Sequence, residues 1–232
     1  MFFYNAFTNV FIMGGLCYVF HNILKKFDIE KNIFEKYSVN LMRSLICATI
    51  SHEAYLNYNY VWLDKCLDNQ KILNKFVNFH NMFLIYFIFD TVVLYYQIYK
   101  GIEKKIRIDL LFHHLLALVA LTVIDYNKMY GITIMIGLSE GMSLASGPKL
   151  LSMYLGNKNF VNFCIAYRLI YLIFVRMLFI WPSLLYFYYK ITNDCEKYKE
   201  QKNIFLVLSL IMTIIHAEIK WLHSGRKELA RI

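Results

Sequence analysis

The stretch Ile106 to Asp125, IRIDLLFHHLLALVALTVID, constrains the fold of this chain more than any other. It is apolar over about the 20 residues that a helix needs to cross a bilayer. It also carries two adjacent histidines, His113 and His114, in its interior. An imidazole inside such a helix is costly unless it faces protein, water or a ligand. The stretch therefore predicts a site, with the rest of the chain as the wall around it.

Composition supports a membrane setting. Of 232 residues, 59% are hydrophobic and 18% charged, and the mean hydropathy is +0.42. A soluble domain carries about 25% charged residues, so we expect an integral membrane protein. Two prolines and nine glycines leave no flexible linker. We expect a first transmembrane helix and basic loop over 1–35, a transmembrane domain over 36–225 and a short basic tail over 226–232. The net charge is +9, which the cytoplasmic excess of Lys and Arg explains. The basic residues sit in short loops between apolar spans and form no nucleic-acid-binding motif, so no nucleic acid is expected as a partner.

Seven apolar segments stand out, at roughly 2–20, 41–63, 79–99, 106–124, 130–151, 163–189 and 204–222. The expectation is an all-α, polytopic protein of about seven transmembrane helices. The first segment has no basic residue before it and reads as a retained span rather than a signal peptide. The second, with Ser51, His52, Glu53 and several asparagines, must be lined by the others. The sixth is over-long and holds Pro182, which predicts a kink or tilt. With the N-terminus outside, the inner segments carry thirteen basic residues against eight outside, which favours a lumenal N-terminus and a cytosolic C-terminus. Cys66 and Cys195 then fall in outer loops. They form a disulfide if that side is oxidising, or remain two unrelated thiols.

Polar groups inside the spans define the expected site. Counted from the inner ends at 1.5 Å per residue, His52, Asp90, His113, His114, Glu140, Arg168, His216 and Glu218 lie at ~6 to ~16 Å, with Arg176 apart at ~20 Å. Clustered, they satisfy one another. This predicts a polar chamber open to the cytosol. His113 and His114 are ~100° apart on their helix. Asp109, four residues before His113, shares its face and would hold its ring in one tautomer. The pair reads as a general base or proton carrier, against interhelical hydrogen bonding alone. Asp90 and Glu140 would orient a histidine or grip a polar lipid group, or else pair with Arg168 or Arg176. The two arginines would otherwise receive a phosphate or carboxylate. Loss of Arg168 would then leave an acid buried and unpaired.

Several signatures are missing. His52-Glu53 begins like a zinc-protease helix, but Leu56 stands where the second histidine belongs. No Cys/His spacing suits a structural metal, so no metal or cofactor is expected.

Five stretches, in order, resemble the TLC domain: RSLICATISHEA with Arg43 and His52, FIFDTVVL with Asp90, IDLLFHHLLAL with the histidine pair, GLSEGMSLASGPK with Glu140, and AYRLIYLIFVRMLFIWP with Arg168 and Arg176. The resemblance covers about residues 36–221. It implies a multi-helix endomembrane protein, of the endoplasmic reticulum or a related membrane, tied to lipid synthesis, sensing or transport. Ceramide synthases of that family carry a second His-Asp motif, and here Leu138-Ser139 stands in its place. The chain is closer to compact members with a Ser-Glu motif, Ser139-Glu140. Three functions follow as expectations. The first is binding of a membrane lipid without chemistry. The second is acyl transfer from acyl-CoA with His113 or His114 as base. The third is a cargo receptor or translocon helper. Homo-oligomerisation is compatible with each.

Overall fold

The computed structural model describes the backbone over residues 31–101 and 108–199, side chains over 37–101 and 110–199, and isolated positions nearer the two ends. The first and seventh apolar segments, with His216 and Glu218, fall largely outside the described residues, as does the side chain of Asp109. The described part is all helix, without a strand. Its elements are α1 (Lys31–Leu63), α2 (Gln70–Tyr99), α3 (Ile108–Tyr126), α4 (Tyr130–Leu138), a 3-10 stretch (Ser139–Ala145), α5 (Ser146–Tyr154), α6 (Lys158–Ile170), a π-helical stretch (Tyr171–Ile180) and α7 (Trp181–Asp194).

Local chemistry sets the boundaries. Asn69 caps α2, its side chain accepting from the backbone N–H of Lys71 at 3.0 Å. Asn157 caps α6 in the same way through Phe160. These caps occupy donors that the first helical turn leaves open. Gly101 and Gly156 follow α2 and α5 with φ of +68° and +69°, the left-handed backbone that closes a helix and that glycine adopts without strain.

The middle of the bundle is the run α4, 3-10, α5. Seven of the nine residues Tyr130–Leu138 are apolar or glycine on every side, and nearly all are buried, as expected of a helix surrounded by others. Its glycines mark the contacts. A β-carbon on Gly137 would meet the Phe79 ring of α2, and one on Gly147 would lie 2.6 Å from the backbone oxygen of Asn40 in α1. α1 and α5 thus touch backbone to backbone. The expected single helix over 130–151 is therefore three stretches. The change to 3-10 winding at Ser139 frees carbonyls that side chains take up. Tyr171 donates to Leu138 O at 2.6 Å and Tyr167 to Gly141 O at 3.0 Å. Ser44 donates to Ser143 O at 2.9 Å and accepts from the Gly147 N–H at 2.7 Å. In an apolar interior, only such side-chain partners keep an irregular turn from leaving backbone groups unpaired.

The sixth segment runs unbroken from Lys158 to Asp194, through α6, the π-helical stretch and α7. Pro182 falls at the start of α7, just after the π-helical residues. The change of winding precedes the residue that can neither donate an N–H nor accept a close carbonyl behind it.

By length and composition, Gln70–Tyr99 and Lys158–Asp194 are able to cross a membrane, and Leu110–Tyr126 is apolar but shorter. This is fewer than the seven spans expected. α1 falls short in hydropathy, because its polar residues recur too often for an 18-residue apolar window.

At one end the α2 entry loop is clamped to the end of α7. Cys66 is disulfide-bonded to Cys195, with Cα atoms 5.5 Å apart and 129 residues between them in sequence. Lys65 pairs with Asp194 at 2.5 Å and Lys197 with Asp68 at 3.2 Å. Tyr198, just beyond, donates to the Lys128 carbonyl at 3.1 Å. Burial and the nearby Asp68 and Asp64 push its hydroxyl up to about 12, so it stays a neutral donor. Closing so long a loop restricts the unfolded chain most, and we expect Cys66→Ser to cost about 2–4 kcal/mol. Thermal unfolding in detergent, with Cys66→Ser/Cys195→Ser no worse than either single change, checks this.

Candidate functional site

The site is built where α1, α2, α3, α4 and the π-helical stretch meet. Asp90 is its centre. It lies on the buried stripe of α2 that also presents Phe83, Tyr86, Phe87 and Leu94, positions three or four apart on one helical face. One carboxylate oxygen of Asp90 pairs with Nε of Arg43 from α1. The other faces Nε2 of His114 from α3 at 3.3 Å. The remaining ring nitrogen of His114 lies 3.1 Å from the Thr91 hydroxyl, which itself donates to the Phe87 carbonyl at 2.7 Å. His114 is thus held at both nitrogens. Asp90 and His114 are each 2% exposed. The buried Asp90 carboxylate is tolerated because Arg43 and His114 both contact it directly. Nη2 of Arg43 is buried with no hydrogen-bond partner among the described residues.

A second polar group sits beside the first. Glu140, in the 3-10 stretch, receives the Cys47 thiol at 3.6 Å, and that thiol lies 3.1 Å from the Tyr86 hydroxyl. Arg176, from the π-helical stretch, lies within electrostatic reach of Glu140. Its Nη1 also points at the Met142 sulfur at 3.8 Å, and its guanidinium stands 5.9 Å from the Trp181 ring. Both Glu140 and Arg176 are buried.

The two halves of the histidine pair part ways. His113 and His114 have ring centres 5.9 Å apart and both abut the Phe87 ring. Of the two, His113 and not His114 lines the cavity formed with Ser139, Glu140, Arg176 and a wall of Phe83, Phe87, Ala117, Ala120, Leu121, Ile136 and Trp181. The space open to the centre of a water-sized sphere is about 30 Å³, enough for one or two waters. A larger group enters only if the rings or Arg176 move. The π-helical stretch supplies Arg176, and such windings are often found at functional sites.

Two expected members stand elsewhere. His52 is exposed on the outer face of α1. Arg168 is half-buried on α6 and does not line the cavity. Asp90, at the centre of the site, pairs with Arg43 and His114. Arg176, expected at a different depth, belongs to the cluster. Residue counting measures distance along a helix. In a helix with ten π-helical residues, that distance no longer tracks the register of its neighbours.

Arg43, Cys47 and Tyr86 entered the site without being singled out for it. The spacing of Arg43 and Cys47, one turn apart, is the signal that bears on them. His80 is a further buried imidazole, 2.8 Å from the Thr133 hydroxyl and edge-on to the Tyr130 ring. With α2 starting at Gln70 rather than near 79, it lies ten residues inside the helix. No group of three or more His, Cys, Asp or Glu able to hold a metal occurs among the described residues.

No family model, curated protein or solved structure matches this chain.

Proposed function

We propose that this chain is a multi-pass membrane protein of TLC type that binds a membrane lipid by its polar end. The observation that carries the reading is the make-up of one cavity. Glu140, Arg176, His113 and Ser139 meet there with a wall of phenylalanine, alanine, leucine and tryptophan side chains. A wall with a few fixed polar groups and a broad apolar face suits an amphiphile. The guanidinium and carboxylate suit a headgroup carrying phosphate and amine or hydroxyl, and the rings suit the start of an acyl chain.

The surface supports the membrane setting. The outer face of α3 carries Phe112, Leu115, Val119 and Tyr126, and that of α6 and the π-helical stretch carries Phe163, Ile170, Phe174 and Leu178, all exposed. Asp90, Glu140 and Arg176 are buried, while these large apolar side chains face outward. Apolar faces of this extent mark contact with lipid or protein rather than water. The Cys66–Cys195 bond suits an oxidising lumen on that side. The basic inner segments then face the cytosol, as in the endoplasmic reticulum.

The test is photolabelling of membranes with a phospholipid and a sphingolipid, each bearing a photoactivatable group near the headgroup. We expect labelling within 83–87 or 117–121, lost in Ala117→Phe, which fills the cavity, with thermal unfolding in detergent checking that the variant is folded. Labelling that ignores Ala117→Phe would overturn the reading.

A second reading is acyl transfer, favoured by His113 standing in the cavity beside Glu140. His113 would take the proton of an attacking amine or hydroxyl as its lone pair adds to the thioester carbonyl of an acyl-CoA. The carbon–sulfur bond then breaks, and coenzyme A leaves as the thiol with that proton. His114, bound to Asp90 and Thr91, would position its neighbour.

A further inference from the structure

We propose that the outer face of α1 is the interface of a homodimer inside the bilayer, with a second copy of this chain as its occupant. The inference rests on the membrane reading and is independent of the lipid chemistry. Leu45, Thr49, His52, Leu56, Asn59 and Leu63 recur along α1 at alternating steps of four and three residues. All but Leu45 are exposed. The opposite face, with Cys47, Ile50, Ala54 and Val61, is buried against the rest of the chain. A four-three repeat is the seam along which two helices interlock side chains.

The polar members of this seam call for a partner. His52 lies eleven residues, about 16 Å, below the outer end of α1, near the middle of a hydrocarbon layer about 30 Å thick. The side chains of His52, its neighbour Glu53 and Asn59 make no hydrogen bond or ion pair with any described residue. The backbone carbonyl of Glu53 accepts from the Asn57 amide at 2.7 Å, which leaves its carboxylate to face outward. A carboxylate and an imidazole facing lipid at this depth are strongly disfavoured. A second copy inserted in the same orientation meets both needs. At the step occupied by His52, the facing hole is formed by Thr49, His52, Glu53 and Leu56 of the other copy. The His52 ring of each copy then meets the Glu53 carboxylate of the other, and two-fold symmetry makes the pair twice. Asn59 meets Asn59 two steps along, the type of polar contact that sets register between membrane helices.

The test is oxidative crosslinking in native membranes of full-length Leu56→Cys and Asn59→Cys, with Phe163→Cys on the lipid-facing side of α6 and the unmodified chain as controls. We expect a product of twice the 27.7 kDa chain mass from the α1 variants, at about fivefold or more over Phe163→Cys, and a fall of similar size when Glu53→Leu is added. Equal yields at 56 and 163, no crosslink at either α1 position, or an adduct of another mass would overturn the proposal. Carbonate washing of the same membranes separates the premises. Retention with no α1 crosslink sinks the dimer alone, and release of the chain sinks the membrane reading and the dimer with it.

Discussion

Arg43→Ala is expected to lower the stability of the folded chain by about 3–5 kcal/mol, the cost of leaving a buried carboxylate without its cation. The carboxylate is Asp90, 2% exposed, and Arg43 is its charged partner across α1 and α2. His114 remains nearby and softens the loss to the extent that it takes a proton. Removing both charges tests whether the pair or only its imbalance matters. Replacing a buried ion pair by apolar groups of like size is often neutral. Arg43→Met/Asp90→Leu is therefore expected to be more stable than Arg43→Met alone, by at least about 1 kcal/mol in a double-mutant cycle. Thermal unfolding in detergent of the wild type, Arg43→Met, Asp90→Leu and the double variant closes the cycle. Additive losses in the cycle would mean that Arg43 and Asp90 do not act on each other.

Gly147→Val is expected to cost about 3 kcal/mol or more and to lower the yield of folded protein. The first carbon of any side chain at 147 would stand 2.6 Å from the Asn40 oxygen and 2.8 Å from the Leu41 α-carbon. These are backbone atoms of another helix, so no rotamer relieves the clash. α1 and α5 must separate, and the Ser44 bonds to Ser143 and Gly147 break with them. Gly101→Ala is the contrast. Nothing lies within 4 Å of its β-carbon position, and its cost is confined to the left-handed backbone. Equal effects at 147 and 101 would remove the close packing of α1 on α5.

Much of this was legible in the residues. Asp90, His113, His114 and Glu140 each interrupt a long apolar run, and an isolated polar residue there must find a partner. What spacing does not carry is which partner. Asp90 has several cations within reach on a linear count, and only the crossing of α1 over α2 selects Arg43. His52 shows the same limit from the other side. A polar residue in a half-apolar helix faces inward or toward another chain, and periodicity alone does not choose. The winding change at Ser139 was also unreadable, because the freed carbonyls take donors from other helices. The start of α1 at Lys31, rather than near 41, was hidden because apolar content marks the part of a helix in lipid and not the helix itself.

On the proposed function, His113 serves the cavity while His114 serves the fold. The most direct measurement is quantitative lipid analysis of membranes expressing the wild type, His113→Ala or His114→Ala at matched levels, each also offered labelled acyl-CoA. We expect His113→Ala to abolish the lipid change, or any acylated product, in a chain that unfolds at the wild-type temperature. We expect His114→Ala to act through lost stability, as Arg43→Ala does. A wild-type lipid profile from His113→Ala, or equal loss of function from both variants without any loss of stability, would contradict this division of roles.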